Sequence, residues 1–144
     1  MKLIITTLAI TFLFLLGSCK KETTTTCSLS PSSLNGEWTI TAATYRATST
    51  ATPVDDYASW TVCDKDDLYV MDANNTFSIE RSPTCGTPDQ GIYTLTGNNI
   101  ILSINSGGGD LIGVISNFTC NSFILTETID SATGESETYT FKKS

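Results

Sequence analysis

Leu34-Asn35-Gly36-Glu37-Trp38-Thr39-Ile40 is the stretch that decides the fold. Gly36 gives the backbone a bend, and Trp38 is the first large apolar side chain of a run that alternates onward through Ile40, Ala42 and Thr44. Alternation at period two puts successive side chains on opposite faces of a strand. A Trp at the mouth of such a strand buries a large area in one step and suits the floor of a barrel. The residues N-terminal to this stretch read as delivery, and those C-terminal to it read as strands that close back onto it.

C-terminal to Trp38, no segment repeats apolar residues at helical spacing over the length a helix needs. Alternating runs between turn residues instead predict eight strands: Gly36–Arg46, Asp67–Met71, Thr76–Arg81, Gly91–Thr96, Asn99–Asn105, Asp110–Phe118, Ser122–Ile129 and Ser136–Lys142. The joints Asp72-Ala73-Asn74-Asn75, Gly97-Asn98, Ser106–Gly109, Thr119–Asn121 and Asp130–Gly134 are rich in residues that tolerate left-handed backbone and cap their own turns. The expected inward set is Trp38, Ile40, Leu68, Val70, Phe77, Ile79, Tyr93, Leu95, Ile100, Leu102, Ile104, Phe123, Leu125, Tyr139 and Phe141, backed by outward Thr, Ser, Asn and Glu. Asp110–Phe118 is apolar on both faces, so its register stays open. Short near-neighbour connections favour an all-β, eight-stranded antiparallel up-and-down barrel over residues 34–144, which removes its edges by pairing the last strand with the first. A two-sheet sandwich carries the same alternation and is the alternative.

Toward the N-terminus, Met1-Lys2 precedes an uncharged run from Leu3 to Leu16. That run is too short to span a bilayer and has the layout of a secretory signal peptide. Leu16-Gly17-Ser18-Cys19 matches the bacterial lipobox, which predicts cleavage after residue 18 and lipidation of the Cys19 thiol. Acyl chains such as palmitate, at ~0.8 kcal/mol per buried CH₂, make such an anchor effectively permanent. The expected setting is the cell envelope, lipid-anchored at the outer membrane, with the face open. Residues 19–33, a Thr/Ser-rich stretch, read as a lipidated flexible tether. Losing the first 18 of 144 residues leaves 126 and removes Lys2 but no acid, so the formal charge moves from −7 to −8. This balance argues against nucleic acid and anionic head groups as partners.

Once Cys19 is assigned to lipid, Cys27, Cys63, Cys85 and Cys120 remain, and in an exported chain they read as two disulfides with three possible connectivities. A hairpin centred near residues 73–75 opposes positions whose numbers add to about 147–149, and Cys63 and Cys85 add to 148. With the start of the first strand called the base, the turns at 72–75, 97–98 and 119–121 lie at the base. The loops at 47–66, 82–90, 106–109 and 130–135 lie at the rim. Cys27 and Cys120 then share the base, while Cys63 and Cys85 share the rim. Any other pairing joins base to rim, beyond the reach of a disulfide. The expected bonds are Cys63–Cys85 and Cys27–Cys120.

The lipobox, the Leu34-x-Gly36-x-Trp38 start, Cys63-Asp64-Lys65-Asp66-Asp67 ahead of an apolar strand, the Asp72-x-Asn74-x-Thr76-Phe77 hairpin, a second Cys after it and Gly91-Ile92-Tyr93-x-Leu95 occur in that order. In this the chain resembles the bacterial lipocalin-like lipoproteins. The resemblance implies a calyx with its mouth at the rim, and a basic residue of the last strand over the base Trp. Lys142 and Lys143 are the candidates for that residue.

Catalysis has little to work with, since the chain has no His and no Ser in a nucleophile elbow, and every Cys is otherwise engaged. The expectation is a non-enzymatic protein without a cofactor. Asp55, Asp56, Asp64, Asp66 and Asp67 read as a solvated acidic loop rather than a Ca²⁺ site. Asp72-x-Asn74-x-Thr76 opens like a calcium loop, but Pro83 stands where the bidentate Glu belongs and there is no central Gly, so it reads as a turn and no metal is expected. Tyr57 and Trp60, in the first rim loop, read either as an aromatic lid or as a seal on the core. With Phe77 and Tyr93 they make the candidate lining for a small apolar ligand. The alternative is a solid barrel that binds another envelope protein through its rim loops, for instance as an inhibitor. Asn74-Asn75-Thr76 and Asn117-Phe118-Thr119 match N-glycosylation sequons that a bacterial chain would leave unused, and Asp130-Ser131-Ala132 resembles a short bacterial O-glycosylation signal.

Overall fold

The computed structural model describes residues 27–144 apart from Ser106 and Gly108. The expected signal peptide, the Cys19 lipid site and tether residues 20–26 lie outside the described residues. Among the described residues nine strands run in order: β1 (Gly36–Arg46), β2 (Val54–Asp55), β3 (Leu68–Met71), β4 (Thr76–Glu80), β5 (Asp89–Thr96), β6 (Asn99–Ile104), β7 (Asp110–Ser116), β8 (Ser122–Asp130) and β9 (Glu135–Lys143). Consecutive strands from β3 to β9 pair antiparallel, β3 pairs with β1, and β9 returns to β1 from Trp38↔Lys143 to Arg46↔Ser136. The sheet is therefore a closed barrel of eight strands, not a sandwich. The ninth, β2, is a two-residue addition that the alternation does not reveal. It pairs with Thr44 and Tyr45 of β1, beyond the Thr39↔Leu68 pair where β3 leaves that strand.

Trp38 anchors the base. It is fully buried, its Nε1 donates to the Leu34 carbonyl at 2.7 Å, and the Phe123 ring meets it edge-on at 4.9 Å. Lys143 is the basic residue that covers it, with Nζ 5.2 Å from the ring and donating to the Asn35 carbonyl at 2.8 Å. The plug beneath starts before Leu34. Ser30 caps a single helical turn, α1 (Pro31–Leu34), through a reciprocal box with Ser33, and Leu29 packs on the core. Residues 27–33, read from sequence as the end of the tether, are thus built into the domain. Both disulfides form as expected, Cys27–Cys120 with Cα atoms 5.3 Å apart and Cys63–Cys85 with 5.4 Å.

Two expectations about facing are corrected, and one left open is resolved. In β3 the core receives Tyr69 and Met71 rather than Leu68 and Val70, because Met71 pairs with Phe77 and Tyr69 with Ile79, and cross-strand partners share a face. In β1 the register shifts between Ile40 and Ala42, a β-bulge, so Ala43 is buried where Ala42 was expected to continue the alternation. In β7 the open register resolves with Ile115 buried and Leu111 packed on the core, leaving Ile112 and Val114 exposed. That strand stops at Ser116 because Asn117 takes a left-handed φ of 49°.

β5 passes so close to its neighbours that a Cβ on Gly91 would overlap the Ser103 carbonyl oxygen and the Phe77 ring. Gly91→Ala is expected to lower stability by about 1–3 kcal/mol, the usual cost of overpacking a core. The measurement is the urea midpoint, and an unshifted midpoint would contradict this close approach.

Candidate functional site

The first rim loop is held by short-range polar contacts. The Asp56 amide donates to the Ala43 carbonyl at 3.0 Å, and a 3-10 turn at Tyr57–Ser59 comes next. Tyr57 Oη donates to the Ile40 carbonyl at 3.1 Å, and Trp60 Nε1 donates to Asp56 Oδ2 at 2.9 Å. Thr61 and Asp64 then form a capping box that starts α2 (Val62–Lys65), and Cys63 in that turn is tied to Cys85. The result fixes Trp60 as a cover, its ring centroid 5.4 Å from that of Tyr57 and 6.1 Å from that of Tyr139.

Beneath Trp60 lies a cavity of about 120 Å³. Ile40, Leu102, Leu111 and Leu125 give it aliphatic walls, and Tyr69, Tyr139 and Phe141 supply rings. An apolar cavity of ~150 Å³ stays dry and accepts benzene, whereas drug-sized ligands need roughly 300 Å³ or more. The chamber therefore suits one small ring or a short branched chain. The Tyr69 hydroxyl is pushed up to about 12, by burial first and the nearby Asp67 charge second, so it is a neutral donor at physiological pH.

At the lip above the chamber, Glu127 of β8 and Glu137 of β9 stand directly opposite one another. Tyr139 Oη donates to both carboxylates, to Glu137 Oε2 and, at 3.5 Å, to Glu127 Oε2. Burial pushes Glu127 up, the Glu137 charge adds to the rise, and the Tyr139 hydrogen bond opposes it. Among the described residues neither carboxylate has a basic partner. Close by, Tyr45 Oη donates to Glu135 Oε1 at 2.7 Å. On β3's side of the barrel, Asp67 is buried with Oδ2 3.4 Å from Arg81 Nε, and among the described residues its Oδ1 has no partner.

Of the four candidate lining residues, the structure brings Tyr57 and Trp60 together at the rim. Phe77 and Tyr93 sit elsewhere. Tyr93 Oη donates to the Asp72 carbonyl at 2.8 Å, in the base turn. Phe77 lies in the core and also floors an open, largely polar groove of about 350 Å³ on the outer wall, flanked by Asp72, Ser78, Gln90 and Asn105. The acids of the rim loop serve local turns: Asp55 accepts from the Ala58 amide, Asp56 from Trp60 and Asp64 from Thr61. Asn74 accepts from Thr76 in the base hairpin, and Ser131 is exposed in a rim turn. Sequence reasoning missed Tyr69, Glu127 and Glu137. Continuing the alternation Phe123-Leu125-Glu127 and Phe141-Tyr139-Glu137 would have found the last two.

A family model described as a lipocalin-like domain matches residues 34–125. No curated protein matches the chain.

The raised Glu127 has a consequence for stability. The folded protein holds that proton more tightly than the unfolded chain does, so this group's contribution rises as pH falls through its folded value and is complete below its unfolded value. Acidifying from pH 7 toward about pH 5 is expected to raise the melting temperature more in the wild type than in Glu127→Gln. Equal gains in thermal melts of the two proteins would contradict the shift.

Proposed function

The chain belongs to the lipocalin-like domain family, and on that premise we propose that it is a lipid-anchored envelope protein that holds one small apolar molecule in the rim chamber under Trp60. The observation that carries the ligand reading is the apolar cavity of about 120 Å³ beneath an aromatic side chain held by Asp56. The lipobox Leu16-Gly17-Ser18-Cys19 supports the anchor. The absence of His and of a nucleophile elbow from the sequence supports a binding role rather than catalysis.

The small volume also favours a second reading, in which the barrel is in effect solid and the rim loops contact another envelope protein. One titration separates the two. A ligand that binds only the folded state raises stability by RT ln(1 + [L]/Kd), about 2.7 kcal/mol at a hundredfold excess over Kd. Benzyl alcohol is expected to raise the melting temperature of the purified mature chain, and Leu111→Phe, which fills the chamber, is expected to abolish the rise. No rise in the wild type favours the protein-contact reading. For the anchor, radiolabelled palmitate is expected to enter the wild type in a bacterial host and not Cys19→Ser; equal labelling would rule out lipidation at that thiol.

A further inference from the structure

Like charges directly opposite on neighbouring strands destabilise a sheet, and two carboxylates offer far more acceptor sites than one hydroxyl can satisfy. Glu127 and Glu137 accept this arrangement at the lip of an apolar chamber, sharing only Tyr139 Oη and no basic side chain among the described residues. Tyr139 belongs to both places, since its ring lines the cavity and its hydroxyl reaches the carboxylates. Two residues along the chain from the cavity-lining Tyr69, the buried Asp67 Oδ1 has no donor among the described residues. Trp60, Tyr69 and Tyr139 present the kind of aromatic surface that attracts cations. The whole chain is also acidic, at a formal −7. Breaches of local rules in an otherwise consistent fold gather where a ligand completes the set.

We propose that the rim chamber selects a small organic cation, with its apolar group in the cavity under Trp60 and its ammonium at the Glu127–Glu137 pair beside Tyr139. This deepens the reading of the chamber as a ligand site and rests on it. The family match ends at Leu125, so Glu127, Glu137 and Tyr139 lie beyond the matched segment.

The test compares three probes of one shape on the purified mature chain at pH 7 by titration calorimetry: benzylamine as the cation, benzyl alcohol as the neutral form and benzoate as the anion. A hydrogen bond to a charged group contributes about 1.5–3 kcal/mol, so benzylamine is expected to bind at least about tenfold more tightly than benzyl alcohol, with benzoate weakest. In Glu127→Gln/Glu137→Gln the ratio of amine to alcohol affinity is expected to fall toward one. Equal affinity for amine and alcohol in the wild type overturns the cation assignment and leaves the apolar chamber standing. Binding by none of the three overturns both. If the double variant does not fold, the wild-type comparison still decides. An amine preference that survives intact in a folded double variant overturns the role of the carboxylate pair.

Discussion

The pairing of β9 with β1 is the constraint that shapes everything else. It runs from Trp38↔Lys143 at the base to Arg46↔Ser136 at the rim and leaves no long open edge between first and last strands. Closure gives the barrel an inside and two ends, and each end is finished differently. The base is filled by Leu34, Trp38 and Phe123, covered by Lys143 and stapled through Cys27–Cys120. The rim is covered by a loop stapled through Cys63–Cys85, and there the packing stops short of filling the interior. A core of this size leaves a single domain of modest length with limited burial to draw on, which is where two loop-closing bonds matter.

Much of this was legible because a meander ties sequence number to position. Counting strand ends separated base from rim and so selected the disulfide pairing. The numbers that opposed Cys63 to Cys85 apply equally to Phe77 and Ile79, whose partners become Met71 and Tyr69. The facing of β3 was therefore written in the hairpin register. It was obscured by the strand's own composition, because Leu68, Tyr69, Val70 and Met71 are apolar on both faces. The β1 bulge had no such signal, since Thr41, Ala42 and Ala43 are small enough to face either way.

The site was legible only in part, for a different reason. Alternation reports the side of the sheet a residue takes, while a binding chamber also depends on height along the barrel. Phe77 and Tyr93 face inward as expected, yet Tyr93 reaches the base turn at Asp72, away from the chamber. Trp60 and Tyr57 lie side by side because they share one rim loop, and of the two only Trp60 lines the cavity. Glu127 and Glu137 escaped because carboxylates in a strand are ordinarily read as its solvent face. Only the chain of inward positions ending in Tyr139 shows that they turn toward the lip.

The central claim is a closed barrel whose rim end keeps an apolar chamber beneath Trp60, and a crystal pressurised with xenon tests it most directly, because xenon enters apolar cavities of this order. The account predicts xenon density under the Trp60 ring, between Tyr69 and Leu125, in a barrel with β9 paired to β1. A rim interior filled by side chains or ordered water with no xenon, or a β9 lifted away from β1, would contradict it.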